Sequence, residues 1–250
     1  MDLKGKVAII TGGARDIGKA VSKALAKEGA KVVINYFQHE AQAQETISEI
    51  KSEGGEAIMV QGDMTKQADV RKVVDETIKS YGDQIDVLVN VAGGLVARKK
   101  LEEMDEDFID LLMKLNYNTV FLTTQAVVPF MKSGGAIVNF ASQAARDGGG
   151  PGATAYSAAK GAVMTFTRSM AKELGPKKIR VNSICPGMIA TTFHDTFTKD
   201  CVRESVANST PLRREGKASE VGDLVAYLAS DKSSFVTGAN IDINGGLAFS

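Results

Sequence analysis

The segment Val7-Ala8-Ile9-Ile10-Thr11-Gly12-Gly13-Ala14-Arg15-Asp16-Ile17-Gly18 decides the fold. Its first residues form a short, largely β-branched apolar run, as expected of a strand buried on both faces of a parallel sheet. A glycine-rich turn follows. Beyond it Ile17, Ala20, Val21, Ala24 and Leu25 recur at helical spacing. Strand, glycine turn and helix together place backbone N–H groups where a phosphate can sit, and glycine lets it come close. Taken alone, the turn reads equally well as a plain tight turn.

The same alternation continues in both halves of the chain. Apolar runs fall at Val7–Ile10, Lys31–Ile34, Ala57–Val60, Val87–Val89, Ala136–Phe140, Ile179–Ile184 and Ala239–Ile243. Helical stripes separate them, among them Met104, Phe108, Leu111, Leu112 and Leu115, and later Val221, Leu224, Val225 and Leu228. The pattern predicts an α/β fold: one Rossmann-type domain over residues 1–250, with a doubly wound, parallel, seven-stranded sheet and helices on both faces. Ligands of such sheets bind beyond the carboxyl ends of the strands, where the strand order reverses. The loops after Ile10, Val60, Val89, Phe140 and Ile184 are therefore expected around one crevice. The loop containing Gly148, Gly149, Gly150 and Pro151 is irregular.

Composition narrows the function. The 30 basic and 30 acidic residues cancel, which gives no general attraction to nucleic acid or to anionic lipid. No apolar stretch reaches the ~20 residues of a membrane span, and MDLKGKVAII lacks a signal-peptide profile. Cys185 and Cys201 are too few for a disulfide framework and lack metal-site spacing, so reduced thiols in a cytoplasmic protein are expected. His39 and His194 are isolated, and no metal site is expected. Arg98-Lys99-Lys100 reads as a solvated loop or as the border of an active-site mouth.

Tyr156 and Lys160 are spaced to share one face of a helix. A nearby ammonium favours phenolate and lowers a tyrosine pKa from ~10, which suits a general acid for a carbonyl oxygen. Ser142 follows the run Ala136–Phe140, at a strand's carboxyl end, where a hydroxyl can bond a substrate oxygen. An exposed amphipathic pair and a capping serine are the plainer readings of the same residues.

In order, these motifs resemble the short-chain dehydrogenase/reductase family, and within it the 3-oxoacyl-[acyl-carrier-protein] reductases. The likeness runs from Gly5-Lys6-Val7 to Gly245-Gly246 and takes in Asn90-Val91-Ala92-Gly93, Asn116, Ser142, Tyr156, Lys160, Pro186-Gly187 and Phe235–Ala239. It implies an NAD(P)-dependent enzyme acting on a carbonyl or alcohol carbon. Tyr156 would be the acid or base, and Lys160 would lower its pKa and hold the nicotinamide ribose. Ser142 would orient substrate, and Asn116 would hold a relay water. Gly12, Arg15, Asp16, Ile17, Gly18, Tyr36, Asp63, Met64, Asn90, Ala92, Gly93, Tyr156, Lys160, Pro186, Gly187, Ile189 and Thr191 would bind the cofactor, and residues 188–212 would form a substrate lid. A homotetramer is implied, built through the helices that carry Asn116 and Tyr156.

The chain departs from the family at Asp16, where glycine is usual. A carboxylate there could repel the pyrophosphate; an N-cap role for Asp16 is the expectation. Val91 replaces a second asparagine. The Ser142–Tyr156 spacing is one residue longer than in the acyl-carrier reductases, which places the extra residue in the loop Asp147–Gly152. NADP(H) is favoured over NAD(H), because Asn35-Tyr36-Phe37-Gln38-His39 offers no carboxylate before Glu40 and Arg15 sits where relatives bind the 2′-phosphate. The substrate expectation is a 3-oxoacyl thioester. The alternative is a small free carbonyl or sugar-derived compound, and the non-enzymatic alternative is a catalytically silent scaffold or sensor.

Overall fold

The computed structural model describes residues 2–249. Each predicted apolar run is a strand: β1 (Val7–Thr11), β2 (Lys31–Tyr36), β3 (Glu56–Gln61), β4 (Ile85–Asn90), β5 (Met131–Phe140), β6 (Arg180–Pro186) and β7 (Asn240–Ile243). All pair in parallel, in the order β3-β2-β1-β4-β5-β6-β7. The order reverses between β1 and β4, so the loops after these two strands turn to opposite sides and leave a crevice between them.

Alternation along the strands builds the two helical layers. Ile10, Ile34, Val89 and Val138 point to one face, where α1 (Asp16–Lys27), α2 (Glu40–Ser52) and α10 (Ala218–Ala229) add Val21, Leu25, Ile47, Ile50, Val221 and Val225. Their neighbours Ile9, Val33, Leu88 and Ile137 point to the other face, against Val70, Val73 and Val74 of α3 (Gln67–Tyr81), Val127 of α5 (Thr119–Val127) and Leu174 of α7 (Thr154–Leu174). This two-sided burial is why the strands read as unbroken apolar runs.

The stripe around Phe108 departs from expectation. Phe108 and Leu112 of α4 (Glu106–Met113) are buried, but Leu111 is 44% exposed. The buried line continues to Asn116, because residues Lys114–Asn118 form a π-helical turn between α4 and α5. A polar residue thus occupies the next inward position, and a hydrophobic pattern alone cannot show it. The remaining helices are α6 (Ala144–Asp147), α8 (Thr192–Phe197) and α9 (Asp200–Ser209), the last two inside the expected lid segment. No described helix is long and apolar enough to cross a membrane.

Candidate active site

The glycine turn is braced at the strand-order reversal. Thr11 Oγ1 accepts from the N–H groups of Val91 and Ala92, both at 3.1 Å, tying the ends of β1 and β4 together. Asn35 braces it from β2: its Oδ1 accepts from Gly12 N at 3.3 Å, and its Nδ2 donates to Gly62 O at 3.0 Å. Gly12 has φ +64°, and a Cβ there would lie 3.2 Å from the Ala92 backbone; a Cβ on Gly18 would lie 2.0 Å from Gly12 O. The start of α1 therefore packs directly on the turn. The first N–H groups of α1 have no intrahelical acceptor. A turn left bare at Gly12, Gly13 and Gly18 and capped by such N–H groups fits a dinucleotide pyrophosphate.

Not every expected cofactor residue faces this crevice with its side chain. Met64 turns into the core beside Val70. Asn90 is buried: its Nδ2 donates to Asn139 Oδ1 at 2.9 Å, and its Oδ1 accepts from Thr123 Oγ1 at 2.6 Å. Its amide joins β4 to β5 and α5. Tyr36 is buried at the end of β2. Asp63 accepts from the N–H and hydroxyl of Thr65 at 3.0 and 2.7 Å. Beyond β6, Gly187 N donates to Ile243 O at 3.0 Å, and Ile189 is buried against Gly216. Gln143 Oε1 is buried beside Gly187 with no partner among the described residues.

Asp16 does not cap α1. The N-cap position is Arg15, whose side chain makes no capping bond. Asp16 is the first helical residue, with φ +51°. Its Oδ1 accepts from Thr192 N at 3.0 Å and its Oδ2 from Thr192 Oγ1 at 2.5 Å. The positive φ is the local reason glycine suits this position. It also aims the side chain away from the helix backbone, so the expected cap bond is not formed.

Ser142, Tyr156, Lys160 and Asn116 come together beyond β4 and β5. Lys160 is 4% exposed, and its Nζ donates to Phe140 O at 2.7 Å. Burial draws its ammonium down to about 8. Lys160 Nζ lies 5.9 Å from the Tyr156 ring centroid, one helical turn away. Tyr156 does not show the expected downward shift. Burial pushes its phenol up, opposed by a hydrogen bond from the Ser142 hydroxyl. Asn116 Oδ1 accepts from Gly94 N at 2.9 Å, and its Nδ2 donates to Gly94 O at 2.9 Å and Leu112 O at 3.0 Å. A Cβ on Gly93 would meet Asn116 Oδ1 at 2.7 Å and Lys160 Nζ at 3.2 Å, so only a bare backbone fits between the two.

The mouth carries residues that the motifs did not single out. Phe193 of α8 lies with its ring 6.4 Å from that of Tyr156 and 5.1 Å from that of Phe197. Arg98 is exposed and held at the mouth: its Nε donates to Phe197 O at 3.2 Å and its Nη1 to Pro151 O at 3.0 Å. The stretch 148–152 turns at Gly148, Gly149 and Gly152, all at positive φ. The stretch 98–100 is thus a largely exposed loop of which Arg98 reaches the mouth, and the contacts that hold it there come from distant segments.

Comparisons with known proteins cover nearly the whole chain. The family model described as Enoyl-(Acyl carrier protein) reductase matches residues 12–248. The chain is 38% identical to a 3-oxoacyl-[acyl-carrier-protein] reductase of Synechocystis sp., covering 98% of both chains. It is 34% identical to a versicolorin reductase of Emericella nidulans, covering 98% of this chain and 96% of that one. The structure superposes on that of a short chain dehydrogenase from Burkholderia cenocepacia in complex with NADP, with a TM-score of 0.92, 32% identity and 99% of each chain covered.

Proposed function

The chain belongs to the short-chain dehydrogenase/reductase family of oxidoreductases, and from that premise we propose that it moves hydride between NADP(H) and a carbonyl or alcohol carbon at Tyr156. The observation that carries this reading is the cluster in which the buried Lys160 and the Ser142 hydroxyl flank one half-buried phenol. The nicotinamide supplies or takes the hydride. The Tyr156 hydroxyl gives its proton to the oxygen of a carbonyl being reduced, or takes the proton of an alcohol being oxidised. The Ser142 hydroxyl holds the same oxygen. Lys160, held by Phe140 O, keeps a positive charge beside the phenol while it remains protonated, which stabilises the phenolate left after transfer. Asn116, across bare Gly93 from Lys160, holds the relay water that returns the proton.

NADP(H) is favoured because β2 ends in Tyr36 with no carboxylate before Glu40, and because Arg15 is a guanidinium on the glycine turn. The relative from Burkholderia cenocepacia carries NADP. Residues 188–212, with α8 and α9, act as the substrate lid, and the protein assembles as a homotetramer. Two substrate readings stand. The relative from Synechocystis favours a 3-oxoacyl thioester on a carrier protein. The other reading, a free carbonyl compound, is favoured by sparse docking charge: Lys172 matches one expected dock, but Lys132-Ser133-Gly134 offers a single cation at the other.

The test is consumption of NADPH and NADH by the purified protein against free ketones, a free acetoacetyl thioester and an acetoacetyl carrier protein. NADPH should be the better cofactor. Arg15→Ala should weaken NADPH use by about tenfold or more, the worth of a charged hydrogen bond, and weaken NADH use clearly less, by what its contacts to Thr192 and Asp16 contribute. Equal losses with both cofactors would show that Arg15 does not read the 2′-phosphate. A large preference for the carrier-bound thioester, lost at high salt, would refute the free-carbonyl reading.

A further inference from the structure

Asp16 is a carboxylate at a turn built to receive an anion, in a backbone conformation that suits glycine. It is also one end of a bridge. Thr192, 176 residues away in sequence, donates both its backbone N–H and its hydroxyl to the Asp16 carboxylate. Arg15 Nη1 donates to the same Thr192 hydroxyl at 2.8 Å and lies 3.4 Å from the Asp16 carboxylate. The carboxylate therefore meets two donors and a guanidinium, which offset its charge beside the phosphate cradle. At the far end of α8, Arg98 grips Phe197 O and ties it to Pro151. Between these anchors Phe193 faces Tyr156. The short helix is thus pinned at both ends across the crevice, one end on the nucleotide turn and the other at the substrate mouth.

We propose that Asp16 is a positioning residue that latches α8 onto the glycine turn, closing the crevice over the pyrophosphate cradle and slowing release of the dinucleotide. The retention half rests on the proposed cofactor reading. The latch itself is made of contacts within the protein and can be tested without cofactor. A carboxylate in the cradle would repel phosphate if it stood alone. Held by Thr192 and Arg15, it serves as the fixed point of a closure that a glycine could not form.

Two variants test this. Asp16→Gly suits the positive φ and removes the carboxylate alone; Thr192→Val keeps the shape of the side chain and removes the hydroxyl. Hydrogen exchange of residues 192–197 is followed by mass spectrometry in the cofactor-free protein, and NADPH dissociation by stopped-flow fluorescence. Each variant should speed exchange in that segment by about tenfold, the order expected for losing a charged hydrogen bond. Each should speed NADPH release to a similar degree, and the double variant should go little further than either single one. The melting temperature should stay near the parent's, since these contacts are exposed. Unchanged exchange in both variants would overturn the latch. Faster exchange without faster release, or a tighter complex in Asp16→Gly, would overturn retention, because the carboxylate would then act only as a repelling charge. A parent that binds neither NADPH nor NADH would overturn the cofactor reading and retention together, leaving the exchange result to decide the latch.

Discussion

Lys160 shows how one residue can serve a site at the expense of the fold. Its ammonium is buried, with Phe140 O as its hydrogen-bond acceptor, and burial lowers its pKa from 10.5 to about 8. Between those two values the unfolded chain binds the proton and the folded one releases it, so stability rises with pH across that window. The cost of burying the charge is fully present below about pH 8 and fades as pH climbs toward 10.5. Lys160→Met removes the charge and still fills the space. The buried charge costs about 3 kcal/mol at pH 7 and the lost bond to Phe140 O takes back about 1 kcal/mol, so the variant should be the more stable and melt above the parent at pH 7, and the gap should narrow between about pH 8 and 10.5. Melting curves across that range check this; a variant that melts below the parent at pH 7 contradicts it. The Tyr156–Lys160 spacing was plain in the sequence. That burial would raise the phenol was not, because it depends on which residues cover it.

At the scale of elements, β1, β2, β4, β5 and β6 were legible because most of their length is buried on both faces, which leaves nearly continuous apolar runs such as Val7–Ile10 and Ala136–Phe140. The π turn at Lys114–Asn118 was not, since it places a polar Asn116 where the stripe from Phe108 and Leu112 calls for another apolar residue. Asn90 was placed correctly at the end of β4, but its side chain faces inward rather than toward the crevice. There it starts a buried polar ladder that runs through Asn139 to Thr167 Oγ1, the last step at 3.0 Å, and crosses from β4 through β5 to α7. Removing one member leaves buried partners without bonds, at about 1–3 kcal/mol for each group. Asn90→Ala should therefore lower stability to urea by about 2–4 kcal/mol while changing NADPH affinity little. Intact stability with lost affinity would instead put the Asn90 side chain on the cofactor.

At the scale of the whole molecule, the sequence located the crevice but not what closes it. Motif order and strand alternation report on neighbours in the chain, and they brought the turn at Gly12–Gly18 and the group Ser142, Tyr156 and Lys160 into view. The bridges Asp16–Thr192 and Arg98–Phe197 join segments far apart in sequence, and neither carries a local pattern. The misread cap at Asp16 has the same origin: its best partner lies on a different element. Both bridges hold α8 between the glycine turn and the mouth, where Phe193 faces the ring of Tyr156, whose hydroxyl the account makes the proton donor. The most direct measurement is turnover and NADPH affinity of Tyr156→Phe, on whichever carbonyl substrate the parent reduces fastest. The ring packing against Phe193 survives in this variant, but the transferable proton does not. The account predicts turnover reduced by about a thousandfold or more, with NADPH binding within a few-fold of the parent; turnover within about tenfold of the parent would contradict it.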